Sequence, residues 1–240
     1  MIPRSCIAWA AACWILPAAA LLTRPDRDDA EYLELASRYS SSIPLPAPVG
    51  EGVLIAPRWV VTVPAPARLL REIHPTPPVK IAGDEYEIEA IHIGEDVALL
   101  LLDRSVKGLN PTPVWREGSE AGRGIAIVGH RSTGRVGAPG KTDGRRRAGI
   151  NTIDAVGDTT LEVRIKSGDD ASDLQGVLTS AEVGAAAYMA NDNGKIFVAG
   201  VARTVDDKRQ VFTRLSTRFE WIEAVMVEVA KKDADRLLSD

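Results

Sequence analysis

An all-β fold closed by a C-terminal α-helix is what the sequence predicts, on three observations. Short apolar runs rich in Val, Ile and Leu recur from residue 50 to residue 215, each bounded by Gly, Pro, Asn or Asp. Glycine (20) and proline (15) are frequent while aromatics make up 5% of the 240 residues, a composition that suits a turn-rich β protein better than a helix bundle. After Arg218, the residues Phe219, Ile222, Val225, Met226 and Val229 recur at i, i+3, i+4 spacing with charged residues between them, which marks one amphipathic helix over 218–238. The net charge of -4 gives no basis for a nucleic-acid partner.

Residues 1–22 carry a separate message. Arg4 supplies a positive start, residues 7–22 are almost continuously apolar, and Ala18-Ala19-Ala20 offers small residues for cleavage. This is the pattern of a secretory leader, and it places the mature protein outside the cytoplasm or in the cell envelope. The apolar run is about sixteen residues long and contains Pro17, which is short for a spanning helix. Cys6 and Cys13 both fall within it, so the mature chain is expected to have neither disulfide nor thiol chemistry.

Residues 23–49 read as an N-terminal arm and linker. Tyr32, Leu33, Leu35, Ala36 and Tyr39 lie near a 3.6-residue period and predict a short helix, after which 40–49 is rich in Ser and Pro. Two β-type runs at 52–56 and 59–63 flank a Pro57-Arg58 turn and form the opening hairpin. Strands follow at 79–81, 85–88 and 90–93. The run Val97-Ala98-Leu99-Leu100-Leu101-Leu102 is wholly apolar and is expected to be buried on both faces. A second set opens at 122–129. Residues 131–146, rich in Gly and Arg, read as a long loop, and Arg145-Arg146-Arg147 as a solvated strand edge. Strands are expected at 148–156, 161–165, 186–189, 196–201 and 211–215. Asn193-Gly194 is a strong turn signal between the fourth and third from the end of these elements, counting the terminal helix.

Residues 50–62, Gly-Glu-Gly-Val-Leu-Ile-Ala-Pro-Arg-Trp-Val-Val-Thr, resemble the hairpin that leads to the catalytic histidine in trypsin-like (chymotrypsin-fold) serine proteases. Asp96-Val97-Ala98-Leu99-Leu100-Leu101-Leu102 is similar to the segment that carries that family's triad aspartate. Ile127-Val128-Gly129, Arg147 to Thr152, and Asn193-Gly194-Lys195-Ile196-Phe197-Val198-Ala199-Gly200-Val201 match further segments in family order. The resemblance runs from about residue 26 to residue 230. It implies a trypsin-like domain over 50–240: two antiparallel six-stranded barrels, at about 50–118 and 119–217, and the C-terminal helix.

The same resemblance implies that the proteolytic machinery is gone. A serine protease needs a hydroxyl nucleophile, a histidine base, an orienting aspartate and backbone donors for the oxyanion. Asp96 occupies the aspartate position. Ala65 stands where the histidine belongs, and Gly184 where the serine belongs. Glu182 replaces the oxyanion glycine. Val183 replaces the aspartate that pairs with a newly cut N-terminal amine, which removes the expected activation switch. Losing nucleophile or base alone costs about six orders of magnitude in subtilisin. The remaining histidines, His74, His92 and His130, read as non-catalytic, with His130 at the surface.

The acidic pairs Asp169-Asp170 and Asp206-Asp207 read as solvated, and no residue spacing calls for a metal or other cofactor. The leading expectation is a secreted, inactive homologue that binds a protein or peptide in the cleft between the barrels. Two alternatives stay open: an active serine endopeptidase with another arrangement, using Ser180, and an envelope protein held by an uncleaved N-terminus.

Overall fold

The structure is a computed structural model that describes residues 21–239 apart from 74, 131, 132, 136, 137, 142 and 207. Most of the expected leader and His74 therefore lie outside the described residues. The chain is mostly β, with a curled half-barrel sheet and a C-terminal helix.

In chain order the first half contains β1 (Leu22–Thr23), α1 (Asp29–Ala36), β2 (Ser42–Pro44), β3 (Glu51–Ala56), β4 (Trp59–Thr62), α2 (Pro64–Glu72), β5 (Val79–Ile81), β6 (Asp84–Tyr86), β7 (Ile88–Ile93) and β8 (Ala98–Leu102). The second half contains β9 (Gly124–Gly129), β10 (Thr133–Arg135), β11 (Ala138–Lys141), β12 (Arg147–Thr152), β13 (Ala155–Val156), β14 (Thr160–Arg164), β15 (Gly176–Val177), β16 (Ala186–Ala190), β17 (Ile196–Val205), β18 (Arg209–Arg214) and α3 (Phe219–Ser239).

The first-half strands build a five-stranded antiparallel sheet in the order β2-β3-β4-β8-β7, beside the β5-β6 hairpin. The second half builds a seven-stranded sheet, β12-β9-β16-β17-β18-β14-β13, also antiparallel. Each sheet has its own core. Val60, Leu100 and Leu102 point into the first, with Ile43, Leu70 and Tyr86. Ile125, Ile127, Leu161, Ala199 and Phe212 point into the second. The alternate residues of the same strands, Val61, Leu99, Ala126, Val128 and Val198, meet in a third cluster that joins the sheets and is covered by Ile222 of α3. The two-faced burial expected of 97–102 follows from this placement: β8 separates one core from the seam.

Helix α2 opens directly after β4. Val63 is extended (φ -103°, ψ 164°), and Pro64 occupies the first turn, where a missing N–H costs nothing. The Asn193-Gly194 turn forms as expected: Gly194 sits at φ +76° and donates its N–H to Asn191 O at 2.9 Å.

Four expectations need correction. The fold does not wait until residue 23. Leu21 is fully buried in the second core, and Leu22 pairs in parallel with Gly134 and antiparallel with Val177. The span 131–146 is not all loop, because β10 and β11 pair there and form a four-stranded sheet, β11-β10-β1-β15, with the N-terminal strand. Arg147 is no solvated edge. It is 1% exposed, and its guanidinium grips Asp29 (Nε–Oδ1 2.6 Å) and Asp143 (Nη2–Oδ2 2.8 Å), which pins α1 to β12. His130 is buried rather than on the surface, for a reason given below. No helix among the described residues is long and apolar enough to cross a membrane.

Candidate functional site

The start of α2 and the turn before β8 face one another. Ala65 and Asp96 line one cavity of about 270 Å³ together with Val63, Pro64, Arg68, Glu95, Arg203 and Thr204. Two residues from distant stretches, expected at the base and aspartate positions of the resemblance, are thus brought to one place. The means are local: β4 delivers α2, and β4 pairs with β8 through Thr62↔Ala98, next to Asp96.

Asp96 is 5% exposed and already occupied. Arg218, at the entrance to α3, places Nε 2.6 Å from Oδ1 and donates from Nη2 to Oδ2 at 2.9 Å. The bond to Asp96 raises the Arg218 guanidinium above its ordinary value, against the opposing effect of its own burial. The Asp96 backbone carbonyl accepts from Thr213 Oγ1 at 2.8 Å. A buried carboxylate without a histidine needs another cation, and Arg218 supplies it. Among the described residues, the cavity lining contains no histidine, serine or cysteine, and Thr204 brings its only hydroxyl.

The segment 182–184 docks near the same place by a different route. Val183 O accepts the Glu51 N–H at 2.9 Å. A Cβ on Gly50 would lie 2.5 Å from Val183 O and 3.1 Å from Pro66 Cγ, so the segment and the start of α2 meet at this glycine. Gly184 donates its N–H to Ala202 O at 2.8 Å and has φ +92°. A Cβ there would fall 2.1 Å from Glu51 O and 2.4 Å from Thr62 Oγ1. The direction a serine side chain would take is therefore filled by backbone, and Gly184 does not line the Asp96 cavity.

Glu182 does not face a cleft either. It is fully buried; Oε1 accepts the Leu21 N–H at 2.8 Å and Oε2 the Thr179 N–H at 3.0 Å. Gly129 makes room for it: a Cβ at that position would sit 1.8 Å from Oε1. Burial first, and the nearby Glu51 second, push the Glu182 carboxyl up to about 8. Glu51 is also fully buried, and its Oε2 lies 2.7 Å from His130 Nδ1 while Oε1 accepts the His130 N–H at 3.3 Å. This pairing explains why His130 is inside.

The other candidates stay apart. Ser180 is exposed at the start of a 3-10 turn. His92 lies in β7 beside Trp59, with ring centroids 5.8 Å apart, and burial lowers its pKa. Among the described residues, no group of three His, Cys, Asp or Glu side chains could hold a metal ion. Sequence reading missed Arg218, Arg203 and the Glu51–His130 pair. The one available signal was Glu51 itself, an acid between two glycines inside an otherwise apolar strand.

No protein-family model matches the chain, and no curated protein matches it.

Proposed function

We propose that this protein is a secreted homologue of trypsin-like serine proteases that has lost proteolysis and acts by binding a protein or peptide. The observation that carries the reading is the cavity shared by Ala65 and Asp96. Asp96, which we read as the orienting acid, has its carboxylate taken by Arg218, and the lining holds no histidine among the described residues. Two core clusters joined by a third along a seam support the finer architecture, two six-stranded barrels. Binding remains available to such a cleft when chemistry is not.

The lack of room at Gly184 leads us to read the family match one residue earlier over this segment. Val183 then stands at the nucleophile, and Glu182 at the acid that receives the N-terminal amine. The Leu21 N–H on Glu182 supports this register. Neither register supplies a hydroxyl. It also gives the leader a consequence: cleavage after Ala20 would leave an α-ammonium at Leu21, beside a buried carboxylate that has no cation partner among the described residues.

Two measurements test the proposal. Mass spectrometry of the protein exported from cells is expected to find Leu21 as its first residue; a mature protein that keeps residues 1–20 would remove secretion by leader cleavage. The purified protein is expected to show no labelling by a fluorophosphonate probe and no turnover of fluorogenic peptides, beside an active trypsin-like enzyme as control. Stoichiometric labelling would establish an active enzyme and end the reading.

A further inference from the structure

A second cavity, of about 310 Å³, opens on the far side of the Glu51–His130 pair, between β2, the β5-β6 hairpin and the end of β9. One part of its wall is polar: Ser42, His130 and Arg146. Another is apolar: Ile43, Ile81 and Leu109. None of these residues belongs to the Asp96 cavity.

Ser42 and Arg146 each bury a polar atom without a hydrogen-bond partner, and His130 is held by an acid. His130 Nδ1 is committed to Glu51 Oε2 at 2.7 Å, so the ring orientation is set by a fully buried acid. Ser42 is 3% exposed and its Oγ makes no hydrogen bond; the neighbouring Tyr188 hydroxyl is already bonded to Ser41 Oγ at 3.0 Å. Arg146 is half-buried. Its Nη1 reaches Ser40 O at 3.3 Å, its Nε is buried without a partner, and no carboxylate lies within ion-pair distance of it among the described residues. Its neighbour Arg147 has two carboxylates, and Arg214 and Arg218 each have at least one. Desolvation, which nothing offsets strongly, lowers the Arg146 guanidinium below its ordinary value. Lys80 adds a second cation at the rim, shared with Glu85 at 3.2 Å.

We propose that this cavity binds the carboxylate of a small apolar acid, with the Arg146 guanidinium on the two oxygens, His130 beside it in the polar wall, and the Ile43–Ile81–Leu109 wall covering the apolar body. A planar guanidinium without a carboxylate partner matches a carboxylate in bidentate fashion. The volume sits at the small end of ligand sites and the apolar wall is wrong for a fully hydrated ion such as phosphate. The acid is either a free short-chain carboxylate or the C-terminus of a peptide ending in an apolar residue. The second source would make this a peptide-anchoring site separate from the cleft.

The test is titration of the full-length protein, by calorimetry and by the His130 ring resonances, with hexanoate, N-acetyl-Ala-Leu, its C-terminal amide and inorganic phosphate. The two acids are expected to bind saturably and to move the His130 signal, while the amide does not. Arg146→Gln is expected to weaken the acids about tenfold or more, and Arg146→Lys, which keeps the charge but not the fork, to weaken them nearly as much. Matching unfolding midpoints in urea show that the variants are folded. A dipeptide that binds more tightly than hexanoate assigns the site to peptide termini, and the reverse order to free acids. Equal binding of acid and amide, binding unchanged in folded Arg146→Gln, displacement of the acids by equimolar phosphate, or no saturation by about 50 mM would each overturn the proposal.

Discussion

Glu182→Ala is expected to destabilise the protein by about 3–5 kcal/mol, the largest effect of any single change at the site. The substitution removes the carboxylate that accepts the Leu21 and Thr179 N–H groups at a fully buried position and opens a cavity against Gly129. It also unties β1 from the second core, since Leu21 is held by that bond at one end and by side-chain burial at the other. Urea unfolding measures the loss. A cost below about 1 kcal/mol would show that the N-terminal segment is not anchored this way.

The same carboxyl makes a pH signature. Its titration near 8 in the folded chain, against an ordinary 4.5, means that the fold holds a proton which the unfolded chain releases. That contribution is full below about pH 4.5 and is lost as pH rises through about 8. The full-length chain, in which Leu21 is a peptide N–H, is therefore expected to lose stability between those values, and Glu182→Gln to flatten the slope. The processed chain, with an α-ammonium against the carboxylate, is expected to have a flatter slope than the full-length chain over the same interval. Equal slopes in all three would remove Glu182 as the titrating group.

Gly184→Ser is expected to cost about 2–5 kcal/mol and to confer no protease activity. Two penalties add: a side chain at φ +92°, and a Cβ forced against Glu51 O and Thr62 Oγ1. Thr62 Oγ1 donates to Glu51 O at 2.7 Å, so neither atom is free to move aside. Adding Ala65→His is not expected to help, because Arg218 holds the Asp96 carboxylate that would have to orient the new ring. Circular dichroism through a urea series gives the stability, and fluorophosphonate labelling gives the activity. A stable, labelled Gly184→Ser protein would mean that the backbone here is far more yielding than its contacts imply.

What the sequence determined by itself was everything that depends on neighbours along the chain. The β3-β4 hairpin, the apolar run of β8, the Asn193-Gly194 turn and the periodic face of α3 all follow from spacing, turn chemistry and local conformational preference. The order of those segments also singles out Ala65 and Asp96, which line one cavity. Tertiary structure alone decided what a charged group meets. Arg147 looked like part of a solvated triplet, and only the approach of α1 and the turn at Asp143 gave it two acids and a buried place. His130 became a core residue because Glu51, 79 residues away, came to lie against it. Asp96 found Arg218 across 122 residues, and Glu182 found the Leu21 amide across 161. Burial makes such pairs necessary, because an ion or amide taken from water must find a partner. The identity of that partner is a property of how the sheets are packed, which no local pattern encodes.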